Sequence, residues 1–139
     1  MLEFIQMIQM AVAPSFLLTG LGAILMVMAN RLSRIVDRHR VLREPKQKSR
    51  GDKINNELSS LKCRAKWTHW AIAFTTTSAL FVSLLIAMIF ISVEIEIIFD
   101  LDKYLASLFV VAMGSLIIGL LCFLREVHLS KGVINDYES

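Results

Sequence analysis

Three stretches without a single Asp, Glu, Lys or Arg constrain this chain more than anything else in it. They cover residues 4–30, 67–93 and 104–124. A helix rising 1.5 Å per residue needs roughly 20 residues to cross about 30 Å of hydrocarbon, and each stretch is long enough. A 55% apolar composition and a mean hydropathy of +0.60 are well above those of a water-soluble domain of this size, so lipid is the expected solvent. The chain therefore predicts an all-α integral membrane protein, one domain with three transmembrane helices. The start, MLEFIQMIQM, lacks the basic n-region of a cleaved leader, and the basic cluster follows the apolar stretch, so the first helix reads as retained.

Charge sets the orientation. Of the 15 Lys and Arg, twelve lie between Arg31 and Lys66, opposed only by Asp37, Glu44, Asp52 and Glu57, a local charge of +8. The positive-inside rule places this connection in the cytoplasm. The other connection carries Glu94, Glu96, Asp100 and Asp102 against Lys103 and belongs outside. The expected topology thus has the N-terminus outside, the C-terminus inside and anionic inner-leaflet lipid as the natural partner of the basic connection. No binding module or aromatic platform accompanies the basic residues, so nucleic acid is not expected.

Along the chain, helix one is expected over about residues 14–44, with Pro14 in its first turn and a cytoplasmic extension after Asn30. Its apolar positions Leu32, Ile35, Val36 and Leu42, with His39, keep a helical period. A turn over 45–51 follows, then helix two over about 53–93, with Asp52 as its N-cap. Ile54, Leu58, Leu61, Ala65 and Thr68 have coiled-coil spacing, so the first two helices are expected to meet as an antiparallel cytoplasmic hairpin. Trp67 and Trp70 mark the membrane boundary. An acidic outer loop over 94–103 leads to helix three over about 104–131, closed by Gly132, and a tail over 132–139.

In lipid, small and weakly polar residues show which faces pack. Helix one carries Ser15, Thr19, Gly22, Met26, Asn30, Ser33, Asp37 and Arg40 in one stripe. Helix two offers Thr76, Ala79, Ser83 and Ala87, and helix three Ala112, Ser115, Gly119 and Cys122. Ser15, Thr19, Gly22, Asn30, Asp37, Ser83, Ser115 and Gly119 are the candidate packing residues. Three such faces exceed what one chain can bury, and a homo-oligomer is expected.

A neighbouring face of helix one holds Glu3, Gln6, Gly20, Val27, Arg31, Arg34 and Arg38, the candidate pore-facing residues. Around an axis they would form an acidic outer ring, an apolar neck and basic inner rings, the parts of an ion-conducting channel of unspecified ion. In charge order this is similar to the pore helix of Orai calcium channels, without a shared motif. The competing reading is a non-conducting scaffold or sensor whose basic hairpin binds anionic lipid or a soluble partner. No nucleophile motif, zinc spacing or phosphate loop points to an enzyme, a cofactor or a metal. His39, His69 and His128 read as packing or surface residues, and Cys63 and Cys122 as structural.

The run APSFLLTGLGAILMVMANRLSRIVDRHRVLRE, residues 13–44, resembles a family of small bacterial three-helix inner-membrane proteins catalogued as a domain of unknown function. Its specific part is the N-R-L-x-R-I-x-D-R-x-R-x-L extension. The resemblance implies the three-helix fold and a prokaryotic cytoplasmic membrane, and singles out Asn30, Arg31, Arg34, Asp37 and Arg38. It implies no activity.

Overall fold

The computed structural model describes residues 1–44, 51–94 and 101–138. They form three helices, α1 (Leu2–Leu42), α2 (Asp52–Glu94) and α3 (Leu101–Glu138). In hydrocarbon no water can satisfy a backbone N–H or C=O, so a long apolar run closes its own hydrogen bonds as a helix. All three helices are long and apolar enough to cross a membrane, and the chain is a multi-pass membrane protein. At 1.5 Å per residue, α1 and α2 each reach roughly 60 Å, about twice the hydrocarbon thickness. The surplus lies at the end where α1 finishes and α2 begins, the hairpin end.

The element boundaries differ from the sequence expectation at two places. α1 begins at Leu2, with Pro14 inside it and buried, where the sequence suggested a start near 14. Proline is tolerated within membrane helices because neighbouring groups take up the freed backbone positions. Beside it, the Ser15 hydroxyl donates to the Ala11 carbonyl at 2.7 Å. α3 runs through Gly132 to Glu138 in place of ending there, since a helical glycine costs only about 1 kcal/mol and does not by itself stop a helix. Of the expected turn over 45–51 and outer loop over 94–103, residues 45–50 and 95–100 lie outside the described residues. Gly51, at φ +57°, adopts the left-handed backbone that glycine supplies most readily, and α2 starts directly after it at Asp52.

Burial follows a seven-residue spacing. In α1 the buried series is Pro14, Leu21, Met28, Ile35 and Leu42. In α2 it is Leu61, Thr68, Thr75, Val82 and Ile89, with Ala71, Ser78 and Leu85 as a second series. In α3 it is Ala112, Gly119 and Glu126. A repeat of seven keeps one seam facing its neighbour when helices wrap left-handedly. α2 is the central helix: α1 and α3 each pack along it and meet each other only marginally.

Two apolar clusters result. Leu21, Val82, Ala112 and Leu116 form one within the apolar stretches. Ile35, Leu42 and Leu61, with Leu58 and Ala65 against them, form the other in the hairpin. Val36 is exposed, because the seam steps from Ile35 to Leu42 and rotates its neighbour outward.

The α2–α3 seam is held by close backbone approach. Ser78 Oγ donates to the Ala112 carbonyl at 2.7 Å, and Ser115 Oγ to the Phe74 carbonyl at 2.8 Å. A Cβ on Gly119 would sit 2.6 Å from Thr75 Oγ1 and 3.2 Å from the Ala71 carbonyl oxygen, so only glycine fits without displacement. Each step toward the start of α2 is matched by a step toward the end of α3, which makes the pair antiparallel and carries the register on to Arg64 and Glu126.

Candidate functional site

At the hairpin end the three charge-free stretches stop at nearly the same level, after Asn30, before Trp67 and after Leu124. Just beyond that level each helix contributes one charged side chain to a common junction. Glu126 of α3 is fully buried. Its Oε2 accepts a hydrogen bond from Arg31 Nη1 of α1 at 3.3 Å. Its Oε1 accepts from Arg64 Nε and Nη2 of α2 at 3.3 and 3.1 Å. Arg64 Nη2 also donates to Ser130 Oγ at 3.2 Å. A buried carboxylate is tolerable only when paired and hydrogen-bonded, and here both oxygens are engaged. The junction gives α1 and α3, which otherwise barely touch, a direct polar tie.

Aromatic rings surround it. The Arg31 guanidinium lies 5.2 Å from the Phe123 ring centroid and that of Arg125 4.8 Å from Trp67, both within cation–π range. Trp67 thus carries Arg125 at the same level, while Trp70 is half-exposed and stacks on Phe74.

The candidate residues of helix one divide. Glu3, Gln6, Gly20, Val27 and Arg34 are exposed on α1. Arg31 turns to Glu126, and Arg38 donates to Glu57 Oε1 through Nε and Nη2 at 3.2 and 3.0 Å. Of the candidate packing residues, Ser115 and Gly119 sit in the α2–α3 seam. Ser15, Thr19, Gly22, Asn30, Asp37 and Ser83 are exposed, and the hydroxyls of Ser15, Thr19 and Ser83 bond carbonyls of their own helices. Among the described residues Asp37 forms no ion pair with Arg34 or Arg40. His39 is half-buried in the hairpin seam, and its enclosed Nε2 has no partner among them.

Glu126 was absent from the sequence expectation. The signal was present: the α3 stripe Ala112, Ser115, Gly119, Cys122 steps by three and four, and its next position is 126.

Once Glu57 and Glu126 are engaged, the exposed charge near the boundary is mainly basic. Arg34, Lys62, Lys66, Arg125 and Lys131 stand out against Asp37. Among the described residues no His, Cys, Asp and Glu grouping suits a metal ion. Toward the other end, an open apolar groove of about 480 Å³ lies between α1 and α2, lined mainly by Ile8, Val12, Phe16, Ile86 and Phe90. Its Ser15 and Thr19 hydroxyls are committed to their own helix, so it offers no chemistry.

The family described as "Protein of unknown function (DUF2721)" matches residues 11–135. No curated protein and no solved structure matches the chain.

Proposed function

We propose, from the premise that the chain belongs to the DUF2721 family and is a multi-pass membrane protein, that it is a non-catalytic membrane scaffold whose basic collar binds anionic inner-leaflet lipid. The observation that carries this reading is the charge left exposed near the boundary after Glu57 and Glu126 are paired. Arg34, Lys62, Lys66 and Arg125 lie within about 8 Å of the apolar boundary along their helices. That is one Debye length at physiological salt, so each contributes about 1 kcal/mol toward an anionic surface. Arg40, Arg43 and Lys53 sit nearer the hairpin tip, roughly 15–20 Å out, where lipid charge is screened and a soluble acidic partner is the better match. The positive-inside rule supports a cytoplasmic position for this end, with the N-terminus and the 94–103 connection outside, and the resemblance carried by residues 13–44 implies the cytoplasmic membrane of a prokaryote. The exposed small residues of α1, Gly22 and Asn30 among them, support association of copies.

The test is reconstitution in nanodiscs of mixed zwitterionic and anionic phospholipid, with the lipid shell analysed by mass spectrometry. Enrichment of anionic lipid that falls about fivefold with each of Lys62→Gln and Lys66→Gln supports the reading. A shell of unbiased composition around the wild type overturns it.

A specific observation favours a second reading, an ion-conducting pore lined by α1. Gln6, Ala13, Gly20, Val27 and Arg34 recur every seventh residue, and all are exposed, so one continuous line of α1 is available to face an axis. Arg31 and Arg38 are engaged within the chain, which leaves Arg34 as the arginine of this face without an ion pair among the described residues. Ion flux in proteoliposomes that changes with Val27→Asp and Gly20→Leu supports the pore; absence of wild-type flux rules it out.

A further inference from the structure

Two guanidinium groups, those of Arg31 and Arg64, meet the Glu126 carboxylate where the bundle leaves the apolar layer, and a third arginine, Arg125, stands next to it in sequence. Arg64 alone gives Glu126 its countercharge and two N–H donors, and its Nη2 also reaches Ser130. Arg125 lies on Trp67. Arg31 is the member with capacity left. Its side chain is 42% exposed against 22% for Arg64, and it makes one bond to the cluster, through Nη1. Among the described residues its Nε and Nη2 have no protein partner. Phe123 and Glu126 hold its plane, so the open edge is fixed in direction.

A guanidinium edge with two free donors matches the oxygens of a phosphate, which it binds in bidentate fashion. The cluster carries more positive charge than Glu126 neutralises, at a depth where the abundant anion is the phospholipid headgroup. Arg31 follows Asn30, the last residue of the first charge-free stretch, and its apolar stem can lie along lipid while the head reaches the surface.

We propose that the open edge of Arg31, positioned by Glu126 and Phe123, grips the phosphate of one anionic phospholipid in the leaflet at the hairpin end. This rests on the collar reading and narrows it from a diffuse basic surface to one built site. Neutralising Glu126 would not by itself require a second arginine. The surplus guanidinium has a purpose if it faces an anion from outside the chain.

The experiment uses the full chain in nanodiscs of mixed zwitterionic and anionic phospholipid, read twice. The shell composition tests the collar, and native mass spectrometry after extraction into mild detergent counts lipid that stays bound. The expected result is one retained anionic phospholipid, held about tenfold more weakly in Arg31→Gln, the loss associated with a charge-assisted hydrogen bond. Arg31→Lys keeps the charge beside Glu126 but lacks the fork, and is expected to fold and to retain the lipid several-fold less well than wild type. Equal retention in wild type and a folded Arg31→Lys overturns the proposal while leaving shell enrichment, and with it the collar, standing. Loss of shell enrichment in the wild type overturns both. Inorganic phosphate added in detergent without lipid is the second arm. Arg31-dependent thermal stabilisation there as strong as that given by anionic phospholipid would identify a soluble phosphate as the ligand and overturn the lipid assignment.

Discussion

Removing the Glu126 carboxylate should destabilise the bundle more than removing it together with Arg64. In Glu126→Ala, Arg64 loses both of its bonds to Oε1 and Arg31 its bond to Oε2, and two guanidinium groups are left facing each other. Breaking a fully buried pair from one side costs about 3–5 kcal/mol. Arg31 and Arg64 retain some exposure, and can recover part of their hydration by turning outward, so the low end applies, about 3 kcal/mol. Replacing the enclosed pair together, Arg64→Met with Glu126→Met, removes the charge and the need to solvate it, and should recover most of that loss. The assay is reversible unfolding by increasing SDS fraction in mixed micelles, followed by far-ultraviolet circular dichroism. A cost below about 1 kcal/mol for Glu126→Ala, or no recovery in the double variant, would refute the reasoning that the junction is a paired buried charge.

Other expectations use the same unfolding assay. Gly119→Ala forces a Cβ against Thr75 and the Ala71 carbonyl, and should cost about 2 kcal/mol, whereas Gly114→Ala, with nothing within 4 Å, should be close to neutral. His39→Leu removes an enclosed nitrogen without a partner from the hairpin seam and should stabilise by about 1 kcal/mol. Ser78→Ala removes a single interhelical bond to the Ala112 carbonyl and should cost only about 0.6 kcal/mol, the average for such bonds in membrane bundles.

The three helices were legible because lipid leaves the backbone so few choices: charge-free stretches of that length have to become helices. The packing of α3 was legible too, since Ser115 and Gly119 lie where small residues permit close approach. Pro14 and Gly132 misled, because they act as helix boundaries in water, and a membrane helix or a long packed one runs through them. Glu126 was hidden by its position just past a charge-free stretch, where an acid reads as a solvated end. What makes it central is tertiary: the α2–α3 register brings it to Arg64, and the arrival of α1 adds Arg31. Two of the three arginines proposed for the basic line of α1, Arg31 and Arg38, were likewise redirected by partners distant in sequence, Glu126 and Glu57.

The collar reading requires the hairpin end to lie in the cytoplasm, and Cys63, exposed on α2 close to that end, is a native reporter of it. The decisive measurement is labelling with a membrane-impermeant maleimide in intact cells and in inverted membrane vesicles, with Cys63→Ser as the control for Cys122. Labelling of Cys63 in inverted vesicles, and in cells only after permeabilisation, is the expected result. Labelling of Cys63 in intact cells would place the basic collar on the outer face and contradict the assignment of inner-leaflet lipid as its partner.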